Sequence, residues 1–229
     1  MTGAPPLPDR LRRAVAAGFE PVRPLPPASR RVLWAAAWVP VAALVSAVVL
    51  GLRGDGAALG EPLQWGVSLV EAALGLVLVA RALSTAIAGR GASVEGSAAA
   101  LVLSALAFGT QASLSHASSP DPALPNAWLS TGPVCFVLMA LLGLPLLAIL
   151  FALLRRAAPL RVAFAGLLGG AGAGLIAEGA YRLHCGVTDL RHVLVWHGGA
   201  ILVLVLAAWG AGLWWERRSG ARLAVRPEG

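Results

Sequence analysis

The chain has no lysine, one tyrosine, two methionines and two cysteines, and only 13% of its 229 residues are charged. Each scarcity excludes something. A soluble domain carries roughly 25% charged residues. A surface this poor in charge would not stay in water, so lipid is the expected solvent. Two cysteines cannot build a disulfide framework, although they suffice for one bridge or one metal site. Residues 1–29 hold no apolar run long enough for a signal peptide, so no cleavage is expected there. The sequence also lacks a phosphate-cradling glycine loop followed by Lys-Ser/Thr, a serine elbow and an HExxH. No enzyme chemistry is indicated. A haem bundle would need paired histidines at matching depth, and three of the four histidines here, His184, His192 and His197, fall in one short stretch.

Hydrophobic residues make up 58% of the chain. They gather in six runs, about 32–52, 63–83, 96–114, 133–153, 162–183 and 193–214. Each is near the roughly 20 residues that cross hydrocarbon as a helix. The expected fold is therefore all-α: a polytopic membrane bundle of six transmembrane helices over residues 32–214. A polar arm (1–31) precedes it and a short tail (215–229) follows.

All eighteen cations are arginine, and the net charge is +7. In a soluble protein that would suggest nucleic acid. Here the arginines lie between the apolar runs, where they set topology, and no direct nucleic-acid binding is expected. With the N-terminus inside, only Arg53, Arg182 and Arg191 fall in outer segments and the other fifteen fall inside. Positive charge stays cytoplasmic, so both termini are expected there. Trp34, Trp65, Trp128, Trp196, Trp214 and Trp215 fall near the ends of runs, where indole rings favour the interface.

Parity then fixes the cysteines. Cys135 opens the fourth run and Cys185 closes the fifth, so both are expected at the outer leaflet on antiparallel neighbours, whose axes lie about 8–10 Å apart. His184, His192 and His197 share that mouth. The residues leave three readings open: unpaired apolar cysteines with interfacial histidines, a disulfide, or a zinc or heavy-metal ion held by thiolates and imidazoles. No cofactor is required by any of them. Within the runs, Glu71 and Glu178 are carboxylates at depth, which usually face a bundle interior. A local pair of Glu178 with Arg182 is the plain explanation for the second; Glu71 has no sequence-local partner. Gly166, Gly170 and Gly174 repeat every four residues, a small-residue stripe that lets another helix approach closely. In the arm, Asp9 is placed to cap a short helix from Arg10 to about Ala17, and the prolines of Phe19–Pro27 favour an extended segment.

Three stretches resemble the NrsF family, negative regulators of sigma F. One is Pro21-Val22-Arg23-Pro24-Leu25 before the first run. Another is Cys135, ten positions before Pro145, with Leu153-Leu154-Arg155-Arg156-Ala157-Ala158-Pro159. The third is Tyr181-Arg182-Leu183-His184-Cys185 followed by Val195-Trp196-His197. Gly18 and Phe19 stand where the family often has an acidic residue and leucine, and Gly186 stands where a proline often follows the cysteine. The resemblance implies a six-span anti-sigma factor of the bacterial inner membrane. Its inner face would sequester an extracytoplasmic-function sigma factor, and its two outer cysteines would sense metal or oxidant. Carried over, Cys135 and Cys185 become the sensor pair, with His184, His192 and His197 beside them. Arg10, Leu11, Val15, Phe19, Val22, Arg23 and Leu25 become the candidate sigma-binding arm. The alternatives are a small transporter working through Glu71 and Glu178, or a structural subunit of a membrane complex. A transporter is expected to show internal repeats with broken helices at the midplane; no convincing halves are visible, although Pro40 and Pro145 stand inside runs.

Overall fold

Backbone N–H and C=O groups in hydrocarbon have no water to bond, so an apolar run that enters the bilayer closes them within a helix. The computed structural model describes residues 8–17, 26–54, 60, 65–85, 92–118, 127–157 and 161–224. Among these residues there is no strand. A short helix α1 (Asp9–Ala17) precedes α2 (Ala28–Leu50), α3 (Val67–Thr85), α4 (Val94–Ala117), the single turn α5 (Ala127–Ser130), α6 (Gly132–Arg155), α7 (Val162–Tyr181) and α8 (Leu190–Ser219). Six of these, α2, α3, α4, α6, α7 and α8, are long and apolar enough to cross a membrane.

Local chemistry sets several ends. The Ser93 hydroxyl accepts from Gly96 N and starts α4, Pro133 sits in the first turn of α6, and the Asp189 carboxylate accepts from Arg191 N and His192 N to start α8. Gly51, at φ 88°, turns the chain out of α2. Two ends differ from the apolar pattern. α2 begins at Ala28, so its first turn carries Arg30 and Arg31, and α8 continues past Trp214 through Arg217 and Arg218. Arginine is a good helix former, so the helices outlast the apolar runs.

α7 is the hub. In its most apolar window 89% of the residues are buried, against 17–44% in the other five spans. Small residues make that possible. A Cβ on Gly170 would lie 2.7 Å from Val205 Cα and 2.8 Å from the Leu204 carbonyl, and Gly166 and Gly174 abut Ala208 and Ile201 in the same way. The Gly166/Gly170/Gly174 stripe therefore seats α8. A second set, Gly172 and Gly179, seats α3: a Cβ on Gly172 would lie 2.6 Å from the Gly75 carbonyl, and one on Gly179 would lie 2.8 Å from the Ser68 carbonyl. Gly169 receives Leu150 of α6.

The periphery is apolar and exposed, with Leu33, Val48, Val49, Leu69, Val102, Leu106, Val134, Leu141, Leu202 and Leu206 all facing outward. Inside, one core joins Ala35, Leu78, Leu83, Leu146, Leu150, Leu154, Leu168, Ile176 and Leu204. Another surrounds the two cysteines with Ala42, Met139, Leu142, Ala177, Ala180, Tyr181 and Ala200. Pro145 lies inside α6, where it removes one backbone donor. Trp38 of α2 donates its indole N–H to the nearby Leu142 carbonyl at 2.9 Å. At the arginine-rich end, Arg31 is 2% exposed and donates through Nη2 to Leu83 O at 3.2 Å, tying α2 to α3. There too, Glu216 accepts from Ala163 N at 2.9 Å, closing α8 over the start of α7.

Candidate metal and redox site

Four ligand-type side chains meet at the opposite end. Cys135 lies one turn into α6. Cys185 lies in the turn after α7, its N–H donating to Tyr181 O at 3.0 Å. His192 and His197 come from the start of α8. Their ligand atoms all lie within 4.8 Å of one another, and all four residues are buried. The sulfurs are 3.9 Å apart and Cys185 Sγ is 3.6 Å from His192 Nε2. The two thiols are unbridged. Burial and the contact with Cys135 shape Cys185 in one direction: first the sulfur–sulfur hydrogen bond and then burial push its thiol well above the ordinary value.

A local feature of α8 brings the histidines together. In an α-helix, residues five apart point about 140° away from each other. Val193–His197 instead forms a π-helical turn, whose i→i+5 bonding stacks residues five apart. The His192 and His197 rings consequently sit 5.2 Å apart, edge to face. Trp196 lies against Gly132 at the start of α6, so the same turn also packs on the helix that supplies Cys135.

The histidines have different surroundings. His197 Nδ1 is 2.7 Å from Glu178 Oε2, a carboxylate that is itself 0% exposed. A carboxylate oxygen accepts, so Nδ1 carries the proton. His197 Nε2, also buried, has no hydrogen-bond partner among the described residues. Glu178 Oε1 accepts from Gln111 Nε2 of α4 at 3.5 Å. Arg182 donates to Gln111 Oε1 and, at 3.3 Å, to Ser115 Oγ. The carboxylate singled out in the fifth run therefore faces His197 and Gln111. His184 is turned elsewhere: its Nδ1 donates to Gly51 O at 2.9 Å and its ring tilts on Tyr181. It fastens the turn after α7 to the turn after α2, as does Arg53 N donating to Leu183 O at 2.8 Å. Glu71 is 0% exposed on α3, and among the described residues neither of its carboxylate oxygens has a hydrogen-bond partner.

Chemically, two sulfurs and two imidazole nitrogens at this spacing suit a thiophilic cation, and two adjacent thiols suit oxidation to a disulfide. The remaining sequence candidates lie elsewhere. Arg10 is exposed on α1, the side chains of Leu11 and Val15 lie outside the described set, and Phe19, Val22, Arg23 and Leu25 lie outside the described residues. Sequence reasoning missed Gln111 and Ser115. Their signal was present as polar residues four apart near the end of the third run, hence on one helix face.

Compared with known proteins, residues 15–217 match the family model described as NrsF, negative regulator of sigma F. No curated protein and no solved structure matches.

Proposed function

The chain belongs to the NrsF family of negative regulators of sigma F, matched over residues 15–217, and from that premise we propose that it is a membrane anti-sigma factor switched at the cysteine–histidine cluster. It holds an extracytoplasmic-function sigma factor at the arginine-rich face of a bacterial inner membrane. Both chain ends lie in the cytoplasm, and Cys135, Cys185, His192 and His197 lie at the outer face. The arm residues Arg10, Leu11, Val15, Phe19, Val22, Arg23 and Leu25 supply the sigma contact. His184 holds the outer turns together.

The observation that supports this reading is the convergence of four ligand atoms within 4.8 Å from α6, α8 and the turn that ends α7. A metal ion would lock these elements at their present spacing. Oxidation would instead pull α6 toward the turn that ends α7, because an S–S bond of about 2 Å replaces a sulfur separation of 3.9 Å. The disulfide forms as two electrons and two protons leave the thiols, for example to a peroxide that is reduced to water or alcohol. Oxidation shifts α6 against α7, and a metal ion fixes both α6 and α8 against it; α7 runs the depth of the bundle. Its glycine faces are smooth enough for a helix shift of about 1–2 Å, a familiar switching displacement. A coupling of about 1–3 kcal/mol changes sigma affinity about 5–150-fold.

The test is affinity purification of the tagged full chain from its own membrane. Sigma factor is expected to co-purify with the intact protein and to be lost from a chain lacking residues 1–25. Alkaline phosphatase fused after residue 229 is expected to be inactive, because that end is cytoplasmic. Recovery of a permease complex without any sigma factor, or an active fusion, would overturn the corresponding part of the reading.

A further inference from the structure

Glu178 and the free Nε2 of His197 point to something more definite than two reactive thiols. We infer that the cluster is a four-coordinate site for one thiophilic divalent cation of the zinc and cadmium class, ligated by Cys135, Cys185, His192 and His197, and that Glu178 is the positioning residue that aims His197 into it. This rests on the cluster being the sensor of the proposed regulator.

Three observations carry the inference. First, bonds of about 2.3 Å to sulfur and about 2.0–2.1 Å to nitrogen at tetrahedral angles place two sulfurs about 3.8 Å apart and a sulfur–nitrogen pair about 3.6 Å apart. The sulfurs here are 3.9 Å apart and Cys185 Sγ is 3.6 Å from His192 Nε2. Second, His197 Nε2 is buried without a hydrogen-bond partner among the described residues. An imidazole nitrogen in a dry interior is costly unless something accepts its lone pair, and the nearest function on offer is the ligand set it already belongs to. Third, the other ring nitrogen is fixed. Metal-bound histidines nearly always donate their second N–H to a carboxylate or carbonyl, which sets the tautomer. Glu178 Oε2 lies 2.7 Å from Nδ1, and Gln111 holds the opposite oxygen. A disulfide sensor would need neither histidine nor carboxylate. Glu178 also extends the site inward: through Gln111 and Arg182 the cluster is tied to α4 as well as to α6, α7 and α8.

The test uses the full chain in detergent, with thiols kept reduced, titrated with Co²⁺ alone and then displaced by Zn²⁺. One Co²⁺ per chain is expected, with the intense visible bands of a tetrahedral ion and a thiolate charge-transfer band. Cys135→Ser should weaken the charge-transfer band, and His197→Ala should alter the visible bands while leaving charge transfer. Glu178→Ala should weaken Co²⁺ binding about 10–100-fold, the usual effect of losing such a partner. Glu178→Gln, whose amide oxygen still accepts from Nδ1–H, should fall between Ala and the natural residue. Combined with His197→Ala, Glu178→Gln should have no additional effect, because its role passes through that ring. No Co²⁺ binding by the reduced chain, equal affinity in all three Glu178 versions, or an undiminished Glu178→Gln effect without His197 would each overturn the inference. Co-purification of sigma factor read in the same preparations separates the two proposals. Sigma bound but no Co²⁺ site sinks only this inference. A Co²⁺ site without sigma sinks only the regulator reading.

Discussion

Replacing both Cys135 and Cys185 with serine is expected to leave repression intact and to abolish release. In the natural protein, addition of Cd²⁺ or a thiol oxidant should raise sigma-dependent transcription by a factor within the range of about 5–150 that a coupling of about 1–3 kcal/mol permits. In the double variant that factor should fall to about one. Serine is nearly the shape of cysteine, so the small apolar cluster around the two sulfurs loses little packing and the sigma-binding face is undisturbed. What disappears is chemistry. A hydroxyl is a poor ligand for a soft cation and forms no disulfide. Each single serine variant should be as unresponsive as the double, because both a bridge and a four-ligand site need both sulfurs. The histidines then divide the two signals. His192→Ala and His197→Ala should blunt the response to Cd²⁺ and spare the response to an oxidant. The readout is transcript from a sigma-dependent promoter before and after the challenge. A double variant that still responds like the natural protein would remove the cysteines from the mechanism.

How much of this was visible in the sequence depends on which force wrote each feature. The six spans were legible because lipid accepts few sequences: an apolar run of the right length has one outcome, and caps such as Asp189 only adjust its ends. That Cys135 and Cys185 share one end of the bundle followed from parity, since alternate crossings must return to the same side; that their sulfurs lie 3.9 Å apart is set by the packing. The Gly166/Gly170/Gly174 face was legible because its period is that of the helix. The second glycine face was harder. Gly172 and Gly179 are seven apart, and their partners, Gly75 and Ser68 respectively, lie on another span, so only the packed structure joins them. His192 and His197 were legible as mouth residues, but the contact between their rings was not, for a definite reason. Helical spacing separates His192 from His197, and a π-turn, which no local propensity announces, brings them together. Glu178 was read with its nearest cation in sequence, four residues on. In the bundle it also has His197 and Gln111, from two other helices, with the Arg182 charge still acting on it. A buried carboxylate is satisfied by whatever the fold brings near, and sequence distance says little about that.

The glycine faces carry the second large expectation, and it tests the route rather than the sensor. Gly170→Val should destabilise the bundle by more than the roughly 1–3 kcal/mol typical of overpacking. The atoms that a Cβ would meet, Val205 Cα at 2.7 Å and the Leu204 carbonyl at 2.8 Å, are backbone. A side chain can rotate away, but a helix axis must move as a whole. α8 would have to retreat from α7, and α8 also carries His192 and His197 at one end and clasps Ala163 through Glu216 near the other. Gly170→Ala should show the same effect at smaller size. Gly109 and Gly210 provide the comparison, because a Cβ at either meets nothing within 4 Å among the described residues. Alanine there should be neutral or stabilising by up to about 1 kcal/mol through helix propensity. Unfolding midpoints of the four variants in one detergent give the ordering. If Gly170→Val unfolds where Gly210→Ala does, α7 and α8 are not in the contact described. The same variant, studied at a temperature where it is still folded, should also bind Co²⁺ more weakly, since helices held apart at their middle cannot bring Cys135, Cys185, His192 and His197 to a common centre. Loss of stability without loss of metal affinity would mean that the outer site and the glycine seam are independent, and the signal would then have to reach the arginine-rich face by the α4 contacts of Gln111 and Ser115 instead.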